Sequence, residues 1–312
     1  MEAVAFAPKG CPPALSRQAK AVAAHYDGGD YYLSGWHPRH LHFGLFEPGE
    51  EPVILDGPDA GRPDRDLLDR AVVRMIGEVV GPARIGAGDV VADAACGVGG
   101  TALHLAGTIG CRVIGLNVSE GQLETARMLA EGDGLEHLAE FHFSDCSEAI
   151  RLPDSSVDVV VSIDGACHMA DRGRFLKECA RILRPGGRLV GSDWMAAAAL
   201  TPKEYRGQIQ PVCEAWSMVG LETPAGYVDK LQAAGLETVS VVDLVMGTLP
   251  NARILAAQES RMREAARSGT LSADKAVWME RFRLLTRAWF AGPFRVQRFF
   301  ARKPGMAAGY AG

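Results

Sequence analysis

The chain is short of positive charge. Across 312 residues, 33 Lys and Arg stand against 38 Asp and Glu, a formal net charge of −5. That balance argues against a nucleic-acid partner, because phosphate binding rests on cationic side chains. No basic, aromatic-laced segment argues the other way. No apolar run is long enough to span a bilayer, and no basic stretch followed by an apolar one opens the chain, so stable membrane insertion is not expected. Cysteine is sparse in pattern: Cys11, Cys96, Cys111, Cys146, Cys167, Cys179 and Cys213 are scattered, odd in number and without C-x-x-C spacing. Such usage fits reduced thiols in a cytoplasmic protein and argues against both a disulfide framework and a zinc site. No D-D-x-x-D motif supplies metal ligands, and no metal is expected. Internal repeats and long low-complexity segments are also absent.

What is present is an ordinary globular composition, 47% hydrophobic and 23% charged, in a chain long enough to bury a substantial core. Residues 1–80 read as an N-terminal helical lid segment, with helices near Ser16 to His25 and from Asp64 onward. From residue 81 the pattern alternates. Strands are predicted at Val90–Ala94, Arg112–Asn117, Glu140–Ser144, Val157–Ile163 and Arg188–Ser192, with helices near 100–109, 120–131 and 172–183. That rhythm predicts an α/β fold with a doubly wound, Rossmann-like parallel sheet. After Trp194 it breaks. Residues 196–224 and 251–290 read as helical cap insertions, with a helix near Gly226–Ala234, a strand near Thr238–Leu244 and a terminal strand Arg295–Ala301.

The segment Val90–Ala102, VVADAACGVGGTA, carries the strongest functional signal. A buried strand runs into Asp93, a loop with Gly97, Gly99 and Gly100, and a helix N-terminus, which together make a nucleotide-type cradle. Gly97, Gly99 and Ala102 even satisfy the dinucleotide fingerprint G-x-G-x-x-A. Asp93 can bond the loop amides. Asn117 ends the second strand, where a dinucleotide or S-adenosylmethionine site usually carries a carboxylate for both ribose hydroxyls. Ser119 to Gln122 spells a capping box, so Gln122 is as readily a cap as a ligand contact. Asp145 ends the third strand and reads equally as a turn residue. Asp164 and His168 follow the fourth strand, on the sheet edge where such folds bind ligands, and a histidine there can act as a base or simply be a satisfied loop residue. LRPGGRL, 183–189, is a turn between helix and strand.

In register, VADAACGVGG, GCRVIGLNVSEGQ, FSDC, LPDSSVDVVVSIDGACHM and ARILRPGGRLVGSDW resemble the class I S-adenosylmethionine-dependent methyltransferases over about residues 90–194. GLNVSEGQ, SIDGACHM and RFFARKP look like the small-molecule sterol C-methyltransferases. GCRVIGLNVSEGQ and VVDLVMGTLP are similar to geranyl diphosphate C-methyltransferase. WHPRHLHFGLFE and TPAGYVDKLQAAGLE are similar to sarcosine/dimethylglycine N-methyltransferases and sugar O-methyltransferases.

The resemblance implies S-adenosyl-L-methionine as cofactor, held by Tyr26, Asp93, Ala95, Gly97, Gly99, Asn117, Gln122, Asp145, Cys146 and Ile163. In this set Asp93 orients the amino-acid end and Asp145 accepts from the adenine amino group. Ala95 stands where the loop usually has its first glycine, and Asp164 stands where C-methylating relatives carry glutamate. The acceptor would be a small, apolar isoprenoid alkene (a prenyl diphosphate or sterol-like molecule). Methylating such an alkene leaves a carbocation that Asp164 steadies or deprotonates. Trp36, His42, Trp194 and Trp216 would line its pocket, with Trp278 and Trp289 nearby, although tryptophans are more often packing residues than cage walls. For an oxygen or nitrogen acceptor, His168 would be the base. A nicotinamide oxidoreductase is disfavoured by Asn117 and by the later motifs. A non-catalytic cofactor-binding protein is the remaining alternative, and a homo-oligomer is compatible with the sequence.

Overall fold

The computed structural model describes residues 15–27, 36–50, 64–198 and 200–305. Cys11 and residues 1–14, 28–35 and 51–63 of the expected lid segment lie outside these.

Seven strands form one sheet: β1 (Val90–Ala94), β2 (Arg112–Asn117), β3 (Ala139–Phe143), β4 (Val157–Ile163), β5 (Leu183–Ala196), β6 (Glu237–Asp243) and β7 (Phe294–Arg302). Their order is β3-β2-β1-β4-β5-β7-β6. The first five pair in parallel, and β7 runs antiparallel between β5 and β6. Strand order reverses on either side of β1, so the carboxyl ends of β1, β2 and β4 open on a shared crevice. Burial explains why these runs are strands. Val91, Ala92, Val159, Val160, Val161, Leu189 and Val190 are all fully buried, as a sheet covered on both faces requires.

Helices α1 (Arg17–Asp27), α2 (Arg65–Val80), α3 (Gly100–Ile109), α4 (Glu120–Asp133), α5 (Arg172–Ile182), α6 (Pro224–Ala233), α7 (Val245–Arg267) and α8 (Ala273–Ala291) pack around it. Their starts are written locally. Asp64 accepts from Leu67 N–H, Ser119 from Gln122 N–H and Asp171 from Arg174 N–H, each satisfying a donor that the first turn leaves free. Five apolar side chains on one face of α2, Leu68, Val72, Met75, Ile76 and Val79, are almost completely buried. At about 1.5–3 kcal/mol for each buried side chain, that face fixes the helix to the sheet.

Four expectations shift. The third strand lies one residue earlier than read. β5 extends both ways: Trp194, Met195 and Ala196 pair with Val296, Arg295 and Phe294, so the start of the expected cap is strand. At the other end, the PGG turn loops out of β5, whose register jumps from Val157–Leu183 to Val159–Arg188. Of residues 196–224, only 202–215, through a π-helical stretch at Tyr205–Ile209, and Pro224, where α6 begins, are helical. Finally, α7 begins six residues early and runs through Pro250. Proline there costs the bond to Met246, whose residue is 78% exposed, so water can take that carbonyl.

Candidate active site

The loop after β1 turns on three left-handed residues, Ala95 (φ 68°), Gly97 (φ 57°) and Gly99 (φ 82°). An alanine in that conformation is uncommon, and its neighbour explains it. A Cβ at Gly165 would stand 2.6 Å from the Ala95 Cβ, so the missing Cβ at Gly165 makes room for the one at Ala95. Asp93, at the end of β1, is 2% exposed, and its Oδ2 has no partner. Burial pushes its carboxyl up to about 7, while a backbone hydrogen bond from Ala102 pulls the other way. A buried carboxylate oxygen without a donor is costly unless a cationic ligand group completes it.

Asn117 has both amide hydrogens and one lone pair of its oxygen committed within the protein. Its amide donates to Gly97 O (3.2 Å) and to Gln122 Oε1 (2.7 Å), and its Oδ1 accepts from Val118 N–H (2.9 Å). Gln122 therefore completes only half of the expected capping box. Ser119 Oγ accepts from its backbone N–H, but its side chain turns to Asn117. Asp145 is also engaged. Its Oδ1 takes the N–H and hydroxyl of Ser147, and its Oδ2 takes Ser16 N–H (3.3 Å) and Ser16 Oγ (2.8 Å), at the entrance to α1.

A strap, residues 36–50, crosses the mouth of the glycine loop. Arg39 pairs with Asp133 on α4, and a Cβ on Gly100 would lie 1.9 Å from Arg39 O and 2.6 Å from His40 Nδ1. Beyond it Asn251 on α7 brackets Gly44, accepting its N–H (2.9 Å) and donating to its carbonyl (2.8 Å). Between these anchors, His40, Leu41 and His42 roof a cleft. Its walls carry Tyr26, Asp93, Ala95, Gly97, Asn117, Gln122, Asp145, Cys146, Ile163, Asp164 and His168. One cleft thus gathers nearly the whole expected cofactor set, both catalytic candidates and His42. Gly99 sits just behind, where a Cβ would strike the Phe141 ring at 2.7 Å.

Asp164 sits at φ 53°, a left-handed position that aspartate tolerates. Its Oδ1 accepts from Ser192 Oγ (2.6 Å), and its Oδ2 faces Phe43 N–H at 3.4 Å. His168 Nε2 meets the Tyr26 hydroxyl at 3.0 Å, and its Nδ1 is buried without a partner. Burial lowers the His168 pKa to about 4.

The tryptophans are elsewhere. Trp36 donates Nε1–H to His42 O (3.2 Å) and stands edge-on to Phe43. Trp194 stacks on Phe43 (centroids 5.1 Å apart, planes 13°) and meets Trp216 edge-on at 5.2 Å, and Trp216 in turn meets Trp278 at 5.8 Å. Trp289 packs on Phe43 and Phe294. None of the five lies on the cleft wall. Trp36, Trp194 and Trp216, expected on the acceptor pocket, lie off this cleft wall in the packed aromatic body around Phe43. Among the described residues no group of three or more His, Cys, Asp or Glu is placed to hold a metal ion, and no helix is long and apolar enough to cross a membrane.

A family profile described as "Methyltransferase domain" matches residues 92–191. A 27-O-demethylrifamycin SV methyltransferase from Amycolatopsis mediterranei (strain S699) is 31% identical over 69% of this chain and 79% of its own length. The chain belongs to the small-molecule S-adenosyl-L-methionine-dependent methyltransferases. A glycine/sarcosine/dimethylglycine N-methyltransferase from Actinopolyspora halophila is also 31% identical over 77% of this chain, which spans 39% of that relative's length. The crystal structure of geranyl diphosphate C-methyltransferase from Streptomyces coelicolor A3(2), 17% identical, superimposes with a TM-score of 0.71 over 94% of this chain and 100% of its own.

In this methyltransferase several site residues escaped the sequence reading. Ser16, Leu41, Phe43 and Ser192 reach the cleft or its carboxylates from three separate parts of the chain. Only Ser192, at the end of a predicted strand on the ligand edge, carried a local signal.

Proposed function

We propose that this enzyme C-methylates a small isoprenoid acceptor and that Asp164 is the group nearest the developing charge. The observation that carries this reading is the contrast between the two catalytic candidates on one cleft wall. Asp164 presents a carboxylate fixed by Ser192, with only a long contact to Phe43 N–H on its second oxygen. His168 has Nε2 committed to Tyr26 and a proton affinity lowered by burial, which makes it a weak base for a hydroxyl.

The residues fit the cofactor. The orphaned Oδ2 of Asp93 suits its amino group and the positive-φ loop admits its amino-acid end, whereas both Asp145 oxygens are taken by Ser16 and Ser147. With both Asn117 amide hydrogens and one of its oxygen lone pairs committed, we assign ribose contact to Gln122, whose amide nitrogen stays free while its Oε1 holds Asn117. When bound, S-adenosylmethionine supplies an electrophilic methyl on a cationic sulfur. Asp164 then steadies the cation formed on the acceptor or takes its proton, and the strap excludes water from it.

A second reading rests on the bare Nδ1 of His168. If Nε2–H donates to Tyr26, that lone pair can take a proton from an oxygen or nitrogen acceptor. The O- and N-methylating relatives favour it. The test uses methyl-labelled S-adenosylmethionine with two pools, prenyl diphosphates and sterols against polar amines and hydroxylated metabolites. Products are treated with phosphatase before extraction. Label in an isoprenoid is expected, and label confined to the polar pool overturns C-methylation.

A further inference from the structure

Beside Tyr26, His25 of α1 meets Trp278 of α8, and there a guanidinium has no acid paired with it among the described residues. Arg281 is half-buried. Its Nε donates to Ala215 O (3.0 Å), and its guanidinium carbon lies 4.6 Å from the centroid of Trp278. One hydrogen bond and one stacked face hold the fork in place and leave its Nη edge free. No carboxylate among the described residues is paired with it, and burial lowers its pKa. Every other well-buried arginine nearby is answered: Arg172, for example, has Asp193 and the carbonyls of Cys167 and Gly220.

His25 rests on the same indole, its ring 5.7 Å from Trp278 and edge-on to it. It is 7% exposed, with Nδ1 facing Ser217 Oγ at 3.4 Å and Nε2 wholly unpartnered. Its pKa is lowered to about 3, by burial first and then by Arg281 and His168. A cationic fork and a neutral imidazole therefore share one indole, with no carboxylate paired to either among the described residues. Its link to the chemistry is short: His25 packs on Tyr26 (4.7 Å), and Tyr26 reaches His168.

We propose that Arg281 and His25 receive an anionic head group, a phosphate or diphosphate ester, at the end of the methyl acceptor remote from the transferred methyl. The fork presents two parallel donors and the imidazole a third, which matches a three-oxygen phosphate better than a two-oxygen carboxylate. The inference rests on the prenyl-diphosphate form of the proposed function and gives that substrate the cationic partner it needs.

Inorganic pyrophosphate, titrated into full-length protein saturated with S-adenosylhomocysteine, tests this by calorimetry and by the ¹⁵N signals of the His25 imidazole. Pyrophosphate is expected to raise the His25 pKa. Arg281→Ala should weaken its binding at least tenfold, and Arg281→Lys several-fold. S-adenosylhomocysteine affinity reports that each variant is folded, and if the alanine variant is not, the lysine variant decides. Unchanged pyrophosphate affinity in the variants overturns the site, as does a His25 signal that stays still at saturation or acetate binding as tightly. The two readings can fail separately. Arg281-dependent pyrophosphate binding without isoprenoid labelling keeps the head-group site and removes C-methylation. Isoprenoid labelling with Arg281-independent pyrophosphate binding does the reverse.

Discussion

The cofactor half and the acceptor half of this molecule are built by different means. The cofactor half, the carboxyl ends of β1 to β4, is assembled from short motifs in which a few adjacent residues set their own geometry. Asn117 with Gln122 and Asp145 with Ser147 bond within a few positions, and Ala95 and Cys96 hang on Leu116 at the end of the neighbouring strand, with Ser16 on Asp145 the distant exception. The acceptor half depends on distant partners. Phe43 meets Asp164 and Trp194, Asn251 brackets Gly44 across 207 positions, and Gln18 reaches Ser217. The first half can be shared by enzymes of many specificities, and the second is where this chain becomes particular.

Substitutions can break that contrast, and the largest effect on binding is expected at Asp93. Asp93→Asn removes the charge that completes a cationic ligand group and should weaken S-adenosylhomocysteine binding by about 1.5–3 kcal/mol, roughly tenfold to a hundredfold. Calorimetry measures it, and an unchanged affinity would detach Asp93 from the cofactor. Asn117→Asp comes next. Although an acid is usual there, a carboxylate would face Gly97 O and Gln122 Oε1 in place of two donors, so a loss of about 1–3 kcal/mol in unfolding free energy is expected. Tighter cofactor binding without that loss would show instead that Asn117 stands in for a ribose acceptor.

Acidity should separate the two halves. His25, His37 and His40 have pKa values lowered, chiefly by burial, to about 3, 4 and 2. Between those values and the unfolded value of about 6.5, the unfolded chain binds more protons. The stability they contribute is complete above pH 6.5 and is lost as the pH falls, by up to about 1.4 kcal/mol per pH unit for each histidine. His37 adds a structural reason: its Nδ1 accepts the N–H of both Arg39 and His40 while Nε2 faces Asp69, so protonating Nδ1 breaks the strap's turn. Hydrogen exchange at pH 5 should show α1 and the strap opening before the central strands; simultaneous opening would contradict this. The smallest effect on the acceptor belongs to Trp194→Phe, which leaves a cavity costing about 1–3 kcal/mol in stability but should leave KM for the acceptor nearly unchanged, since the indole packs behind Phe43. A large rise in KM would return Trp194 to the pocket wall.

The same division governs what the sequence reveals. Strands β1, β2 and β4 are read to the residue because continuous buried valines and following glycines are local signals. Asp93, Asp164 and His168 are legible for the same reason, as ends of such strands. The start of α7 is hidden by Pro250, a helix breaker whose lost bond falls where water can replace it. Tryptophans pattern alike whether they wall a pocket or pack behind it, and only tertiary placement separates the two. Nor does local sequence show that Gly165 makes room for Ala95, or that Ser16 occupies Asp145, since each pair joins residues far apart in the chain.

The most direct test of Asp164 as the group at the transfer centre is a matched pair, Asp164→Asn and His168→Ala. Both are assayed for methyl transfer to an isoprenoid acceptor after S-adenosylhomocysteine binding is shown to be intact. Turnover is expected to fall by about 10²–10⁴ in Asp164→Asn and by far less in His168→Ala. Full turnover in Asp164→Asn together with collapse in His168→Ala would contradict C-methylation at Asp164 and make the histidine the base.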